Sequence, residues 1–171
     1  MRVIAGTVRG RKLRAFRGRR IRPTADRAKE ALFNIIADKV TNAFVLDLYA
    51  GTGSLGIEAL SRGAKFVTLA DDSVASVDVI RNNLELTEFS EQAKVLKGKA
   101  KNIIDVLSLQ KTQFNLIFLD PPYKISLREL REVFNAMAEG DVLIPEGIVV
   151  LEHSIKREPP VFENFLLKST R

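Results

Sequence analysis

The stretch that decides the fold is VLDLYAGTGSLG, residues 45–56. Its apolar start predicts a short buried strand, and the glycines at positions 51, 53 and 56 predict a tight turn into a helix. Gly-x-Gly-x-x-Gly after a strand is only a weak indication of a dinucleotide site. A carboxylate at Asp47, four residues before the first glycine, suits a ligand with a positive group better than a pyrophosphate. A tight turn that binds no ligand is the structural alternative.

Short apolar segments alternate with amphipathic ones along the rest of the chain. Their spacing predicts strands over residues 44–46, 66–70, 93–96, 115–119 and 147–151. It predicts helices over residues 54–62, 74–86, 102–109 and 127–137, and an earlier helix that starts near Pro23 with Thr24 as its N-cap. This order predicts an α/β fold of Rossmann-like type, a mostly parallel twisted sheet with helices on both faces.

Charge divides the chain into two parts. Residues 1–30 contain 11 basic and 2 acidic residues, a net charge of +9, whereas residues 31–171 contain 16 basic and 19 acidic residues, a net charge of −3. This asymmetry predicts an anionic partner at the N-terminus, either nucleic acid or an acidic membrane surface. Residues 1–16 are interpreted as a β-hairpin with one apolar and one cationic face. We therefore predict a basic arm over residues 1–22 and one domain over residues 23–171.

Composition excludes several classes of protein. Hydrophobic content of 46% and charged content of 28% are typical of a globular domain and not of a disordered chain. The absence of cysteine excludes a disulfide scaffold and a thiol nucleophile, and a single histidine excludes a multi-His metal site. No apolar run approaches the ~18 residues of a membrane helix, and the start lacks a signal-peptide core. The chemistry must use carboxylates, backbone groups or a cofactor, and no metal is expected.

The second strand ends in an acidic pair, Asp71 and Asp72. An acidic residue about 20 positions after a glycine loop is well placed to accept hydrogen bonds from ribose hydroxyls. Both aspartates are candidates for this role, and a solvated surface pair is the alternative.

The fourth strand ends in Asp120, Pro121, Pro122 and Tyr123. The two prolines favour a rigid, extended loop whose carbonyls can point outward. The carboxylate and a loop carbonyl could accept the hydrogens of an exocyclic amine while the tyrosine stacks on a planar base. A simple strand terminator with chance neighbours is the alternative.

Together these motifs resemble a known family. DLYAGTG at residues 47–53 and DPPY at residues 120–123 resemble an amino-methyltransferase. RVIAG at 2–6, GRKL at 10–13, RPT at 22–24, KEALFN at 29–34 and LGIEALSRGA at 55–64 resemble the RsmD-like family over nearly the whole chain. The resemblance implies a class I methyltransferase fold with an N-terminal extension. It also implies S-adenosylmethionine as methyl donor and the N2 amine of a guanine in bacterial 16S ribosomal RNA as the target.

The resemblance assigns roles to individual residues. The donor loop would contain Asp47, Tyr49, Ala50, Gly51, Thr52 and Gly53, and Asp71 is favoured over Asp72 at the ribose. Other residues expected near the donor are Lys99, Ala100, Thr24 and Arg27. The loop 120–123 would hold the guanine. The expected RNA contacts are Arg9, Arg11, Lys12, Arg14, Arg17, Arg19, Arg20 and Arg22.

Three features depart from the family pattern. Lys99 stands where the family commonly has an acidic residue near the adenine, and Ser73 stands where it usually has a second acidic residue. The family also usually continues through one more strand, so we expect either that the sequence is shortened or that the sheet lacks an edge strand. The expected partner is ribosomal RNA within a 30S subunit or an assembly intermediate. The protein is expected to be a cytoplasmic monomer with no membrane partner.

Two other functions remain open at this stage. One is a DNA adenine-N6 or cytosine-N4 amino-methyltransferase, although such enzymes usually have Asn or Ser at the position of Asp120 and a target-recognition insert. The other is a non-catalytic Rossmann nucleotide-binding protein, which would bind a dinucleotide and transfer no methyl group.

Overall fold

The computed structural model describes residues 1–16, 23–122, 124–153 and 160–168, with the backbone alone for residues 23–25. The helices are α1 (Pro23–Ile35), α2 (Ser54–Ser61), α3 (Val74–Thr87), α4 (Ala100–Leu109) and α5 (Leu127–Glu139). The strands are β1 (Phe44–Leu48), β2 (Phe66–Asp71), β3 (Ala93–Lys97), β4 (Phe114–Leu119) and β5 (Leu143–Leu151). Single turns of 3-10 helix lie at Ala37–Lys39 and Ser90–Gln92.

The five strands form one parallel sheet in the order β3-β2-β1-β4-β5. The parallel sheet confirms the predicted α/β architecture. Chain order reverses between β1 and β4, and this is the point where ligands bind in open α/β sheets. β5 begins earlier than predicted. Leu143 of β5 pairs with Phe114, and Ile148 pairs with Leu116. The first half of β5 therefore contains three more residues than the β4 segment it pairs with.

Helices cover both faces of the sheet, as predicted. Alternate side chains of β1 point to opposite sides, with Val45 in one apolar cluster and Leu46 in the other. The first face is covered by α1, α2, α3 and the N-terminal segment. The second is covered by α4, α5 and residues 160–168, where Phe162 stacks on Phe134 with ring centroids 3.6 Å apart.

The N-terminal segment, residues 1–16, folds back on itself and packs on the first face. Arg2 and Lys12 form an antiparallel bridge, and the Val3 N–H donates to the Arg11 carbonyl at 3.0 Å. Val3 and Leu13 are buried, while the neighbouring cations are exposed. The predicted two-faced hairpin is therefore present with one bridge and without regular strands. The loop 17–22 lies outside the described residues.

Two further expectations concern the ends of the elements. Thr24 is not an N-cap, because α1 already begins at Pro23, where a fixed φ and a missing N–H suit the first helical position. β5 lies at one edge of the sheet and is the last strand in the part of the chain that the structure describes. None of the described helices is long and apolar enough to cross a membrane.

Candidate functional site

Three strand ends meet at the carboxyl edge of the sheet. Leu48, the last residue of β1, pairs with Ala70 of β2 on one side and with Leu119 of β4 on the other. The residues that follow, Tyr49, Asp71 and Asp120, therefore come level at the point where strand order reverses. The sequence predicted each of these positions separately, and the sheet register brings them together.

The loop between β1 and α2 turns through three left-handed residues. These are Tyr49, with φ of 62°, Gly51, with φ of 57°, and Gly53, with φ of 77°. Its positive φ favours glycine at position 53, and a Cβ there would lie 3.0 Å from Leu69 Cδ2 and would require that side chain to shift. A Cβ on Gly51 would meet nothing closer than 3.9 Å. The backbone at Gly51 is therefore open to close approach by a ligand.

Asp71 holds this loop. Its Oδ2 accepts the Gly51 N–H at 2.8 Å, and its Oδ1 accepts the Ser73 N–H at 3.0 Å. Asp72 is exposed next to it. Asp71 is thus the member of the acidic pair that contacts the glycine loop.

Asp47 lies beneath the loop. Its side chain is 1% exposed, and its Oδ2 accepts the Gly56 N–H at 2.9 Å. Burial raises the pKa of this carboxyl to about 7, although the hydrogen bond from Gly56 lowers it. The negative charges of Asp120 and Asp71 raise the pKa further. The carboxylate therefore ties the strand to the first turn of α2. Its influence on a ligand would pass through the shape and charge of the loop.

Tyr49 lies half-buried at the same edge. Burial raises the pKa of its phenol to about 12, and the charges of Glu129 and Asp72 act in the same direction. The phenol therefore stays protonated at neutral pH and can donate a hydrogen bond. It does not serve as a base.

Lys99 is the exposed N-cap of α4, although its side chain makes no capping hydrogen bond, and the buried Ala100 begins that helix. Hydrogen bonds from Ser126 lower the pKa of Glu129 at the start of α5, and the positive charge of Lys99 lowers it further. Lys99 thus lies close enough to α5 to interact electrostatically with a carboxylate. The preceding Gly98 N–H donates to the Asp71 carbonyl at 3.0 Å, which connects the β3 end to the site.

The loop after β4 places Asp120 on the surface, followed by a half-buried Pro121 and an exposed Pro122. The Ile125 N–H closes a turn by donating to the Pro122 carbonyl at 2.9 Å. Tyr123 lies outside the described residues. Asp120 is close enough to Asp47 to raise the pKa of that buried carboxyl, so the two acidic strand ends interact electrostatically.

The cations of the N-terminal segment project to solvent. Arg9, Arg11, Lys12 and Arg14 are all exposed. The Arg14 guanidinium donates to Asn82 Oδ1 at 3.1 Å, and Arg11 lies 3.8 Å from a Glu88 carboxylate oxygen. The predicted RNA contacts Arg17, Arg19, Arg20 and Arg22 lie outside the described residues. Of the two α1 residues expected near the donor, Thr24 lies in the first turn of the helix and Arg27 is exposed.

A buried polar junction was missed by the sequence reasoning. The Lys29 ammonium donates to Ser54 Oγ, at the start of α2, and lies 3.2 Å from the carboxylate of Glu58. One signal was available, because Lys29 occupies the same helical face as the buried Phe33 and Ile36, four and seven residues later. Within the described ranges, no group of three or more His, Asp and Glu side chains could hold a metal ion.

Comparison with known proteins agrees with this geometry. A family model described as "Conserved hypothetical protein 95" matches residues 1–170. The chain belongs to this family. Membership in the Conserved hypothetical protein 95 family confirms the RsmD-like resemblance.

Individual relatives support the same assignment. Ribosomal RNA small subunit methyltransferase D of Haemophilus influenzae is 37% identical over 155 residues, which cover 89% of this chain and 78% of the relative. The solved structure of the Escherichia coli protein yhhF has a TM-score of 0.81 and 32% identity, covering 95% of this chain and 85% of that one. The S-adenosylmethionine-dependent methyltransferase from Agrobacterium tumefaciens shares the fold alone, with a TM-score of 0.67, 23% identity and coverage of 86% of this chain and 50% of that chain. The fold of this Conserved hypothetical protein 95 member is the Rossmann-like class I methyltransferase fold.

Proposed function

We propose that this protein is an S-adenosylmethionine-dependent methyltransferase of small-subunit ribosomal RNA, and that it methylates the N2 amine of a guanine. The observation that carries the proposal is the alignment of Tyr49, Asp71 and Asp120 at the strand-order reversal of a chain in this family. The relative from Haemophilus influenzae is named as a ribosomal RNA small subunit methyltransferase.

The residues of the glycine loop fit the methyl donor. The donor supplies a methyl group bonded to a positively charged sulfur. The open backbone at Gly51 allows close approach, and the carboxylate of Asp71 places a negative charge at the same edge, which favours a cation. Asp71 can accept hydrogen bonds from ribose hydroxyls while it accepts the Gly51 N–H, because a carboxylate offers about four lone-pair sites. Ala50, Thr52 and Gly53 complete the loop, and Lys99 and Ala100 lie at the neighbouring β3 end.

The loop after β4 fits an amine of a planar base. In this proposal Asp120 and a carbonyl of the Pro121–Pro122 segment accept the two amine hydrogens, and Tyr123 stacks on the ring. These contacts orient the nitrogen and favour its rehybridisation, which is catalysis by positioning and electrostatics. A carboxylate also suits guanine, whose N1–H and N2–H are adjacent donors. The base must be unpaired or flipped to reach the pocket.

The N-terminal cations supply the contacts to the RNA backbone. Phosphate contacts position an enzyme without reading sequence, so Arg9, Arg11, Lys12 and Arg14 would set the orientation of the RNA. We extend the proposal to a monomeric, cytoplasmic enzyme that acts on a 30S subunit or an assembly intermediate.

Methyl transfer to defined substrates tests this function. The purified protein is incubated with labelled S-adenosylmethionine and, separately, with naked 16S ribosomal RNA, 30S particles and DNA, and the modified base is then located. We expect label on guanine N2 in one of the two RNA samples and none in DNA. Label in DNA would instead identify a DNA amino-methyltransferase. No transfer together with binding of a nicotinamide dinucleotide would identify a nucleotide-binding protein.

A further inference from the structure

A single buried ammonium joins three parts of the molecule. Lys29 Nζ donates to the Arg2 carbonyl at 2.8 Å and to Ser54 Oγ at 3.0 Å, and it lies 3.2 Å from Glu58 Oε2. The residue is 7% exposed. An ammonium has three N–H donors, which equals the number of these partners. These partners belong to the N-terminal segment, to the helix start that follows the glycine loop, and to the middle of α2.

The carboxylate of Glu58 completes the junction. It is fully buried, and its oxygens accept the Ile4 N–H at 2.8 Å and the Ala5 N–H at 3.0 Å. Arg62, the C-cap of α2, donates to the same carboxylate at 2.8 Å. The N-terminal segment is therefore attached to α2 through backbone hydrogen bonds to a side chain that also holds Lys29.

Stability alone is a weak explanation for this arrangement. Burial lowers the pKa of Lys29 even though Glu58 raises it, so the loss of hydration opposes the charged form that the carboxylate favours. Apolar side chains of similar volume often stabilise a fold as well as a buried ion pair does. A polar junction instead fixes the relative position of the elements that it joins, because its hydrogen bonds are satisfied in one arrangement only.

Lys29 contacts a part of the proposed functional site on each side, the N-terminal segment at Arg2 and the end of the glycine loop at Ser54. Ser54 directly follows Gly53, the last residue of the glycine loop, so its hydroxyl marks the join between loop and helix. Arg2, on the other side, is the residue that bridges to Lys12 in the cationic segment. The same segment also lies against the end of α2, where the Thr7 N–H donates to the Ser61 carbonyl at 2.8 Å.

We propose that Lys29 is a positioning residue that couples RNA binding at the N-terminal cations to donor binding at the glycine loop. This inference rests on the function proposed above. RNA bound to the N-terminal segment would restrict the motion of Lys29 and, through Ser54, of the glycine loop. The donor would then bind a loop that is already ordered. Linkage requires the reciprocal effect, namely that the donor strengthens RNA binding by the same factor.

The test compares the affinity for a donor analogue with and without RNA, as a ratio, in the wild type and three variants. The affinity for S-adenosylhomocysteine, a donor analogue that cannot transfer a methyl group, is measured by calorimetry with and without the RNA that the wild type methylates. We expect RNA to tighten binding by about fivefold or more in the wild type, which is the lower end of typical coupling. Ser54→Ala removes one of the three partners of Lys29, and Lys29→Met removes the ammonium and leaves Glu58 in place. Both are expected to reduce the ratio to about one.

Arg62→Gln is the matched control. Arg62 contacts the same carboxylate and lies over the Phe33 ring at 4.8 Å, and among the described residues its side chain makes no hydrogen bond to the N-terminal segment or to Ser54. We expect it to lower stability and to retain the wild-type ratio. Amide exchange at residues 51–54 gives a second readout, with protection by RNA in the wild type and none in Ser54→Ala.

The possible failures are distinguishable. A wild type that transfers no methyl group to ribosomal RNA would contradict the proposed function. A wild type that does methylate RNA but binds the analogue equally well with and without it would overturn the coupling. A folded Ser54→Ala protein with the wild-type ratio would overturn the role of Lys29, even if Lys29→Met fails to fold.

Discussion

Asp71 and Gly51 are 20 residues apart in the chain and meet where Asp71 Oδ2 accepts the Gly51 N–H at 2.8 Å. The residue expected to bind ribose therefore also holds the first glycine of the donor loop. One carboxylate thus sets the shape of the loop and presents acceptors at the same edge. Loss of Asp71 should consequently damage donor binding in two ways.

Asp71→Ala should weaken donor binding by roughly 10- to 100-fold, because hydrogen bonds to a charged group contribute about 1.5–3 kcal/mol. Asp72→Ala is the matched control, since Asp72 is the exposed neighbour and surface substitutions usually change stability or binding little. Calorimetric titration with S-adenosylhomocysteine measures both variants. Equal losses in the two proteins would contradict the preference for Asp71.

Asp120→Ala should reduce the methyl-transfer rate by about 10²–10³-fold, as removal of one positioned hydrogen-bonding group does in other enzymes. Donor affinity should stay close to that of the wild type, because Asp120 lies on the loop assigned to the base. Single-turnover transfer and donor titration are measured on the same preparation. A collapse of donor binding with intact transfer at saturating donor would show that Asp120 serves the donor.

The buried carboxyl of Asp47 makes stability depend on pH. Its folded-state pKa of about 7 lies above the ordinary value of 3.8, so the folded protein binds the extra proton between these values. Stability from this group is therefore greatest at low pH and falls by at most ~1.4 kcal/mol per pH unit until about pH 7. Asp47→Asn keeps an oxygen that can accept the Gly56 N–H and removes the titration. Urea unfolding from pH 5 to 8 should show a flatter profile for this variant, and parallel profiles would contradict the assignment.

Gly6 and Gly10 form a matched pair in the N-terminal segment. Their φ values are 84° and 85°, but a Cβ on Gly6 would lie 1.7 Å from the Ser61 carbonyl oxygen, whereas a Cβ on Gly10 would meet nothing within 4 Å. Because both φ values lie in the left-handed region, each alanine variant has a conformational cost of roughly 1–2 kcal/mol. Gly6→Ala should lose more stability and more RNA affinity, because the segment must move off α2. Denaturant midpoints and RNA titrations compare them, and equal losses would show that the close approach contributes little.

Simultaneous replacement of Arg11, Lys12 and Arg14 by Ala should flatten the salt dependence of RNA binding. Each lost phosphate contact lowers the slope of log affinity against log salt by about 0.7 for single-stranded RNA. Lys39→Ala serves as the control, because Lys39 lies just before β1, at the amino end of the sheet. Titrations at several salt concentrations give the slopes. An unchanged slope in the triple variant would eliminate this segment as the RNA contact.

Much of the candidate site was predictable because its residues stand at strand ends. A strand followed by Gly-x-Gly, an acidic pair or Asp-Pro-Pro-Tyr is visible in a local window. Parallel connection of the strands then places such residues at one edge. The roles of two residues were not predictable in this way. Lys99 interacts electrostatically with Glu129 on another helix, and Asp47 holds Gly56 from below.

The sequence by itself determined the alternation of strands and helices, the parallel sheet and the cationic N-terminal segment, because periodicity and local charge depend on neighbours in the chain. Only the tertiary structure decided which residues share a hydrogen bond across 20 or more positions. Lys29 reaches Arg2, Ser54 and Glu58 because the packing of the fold brings α1 next to both the N-terminal segment and α2. Such contacts depend on how the elements pack against the sheet, and no local pattern specifies that packing.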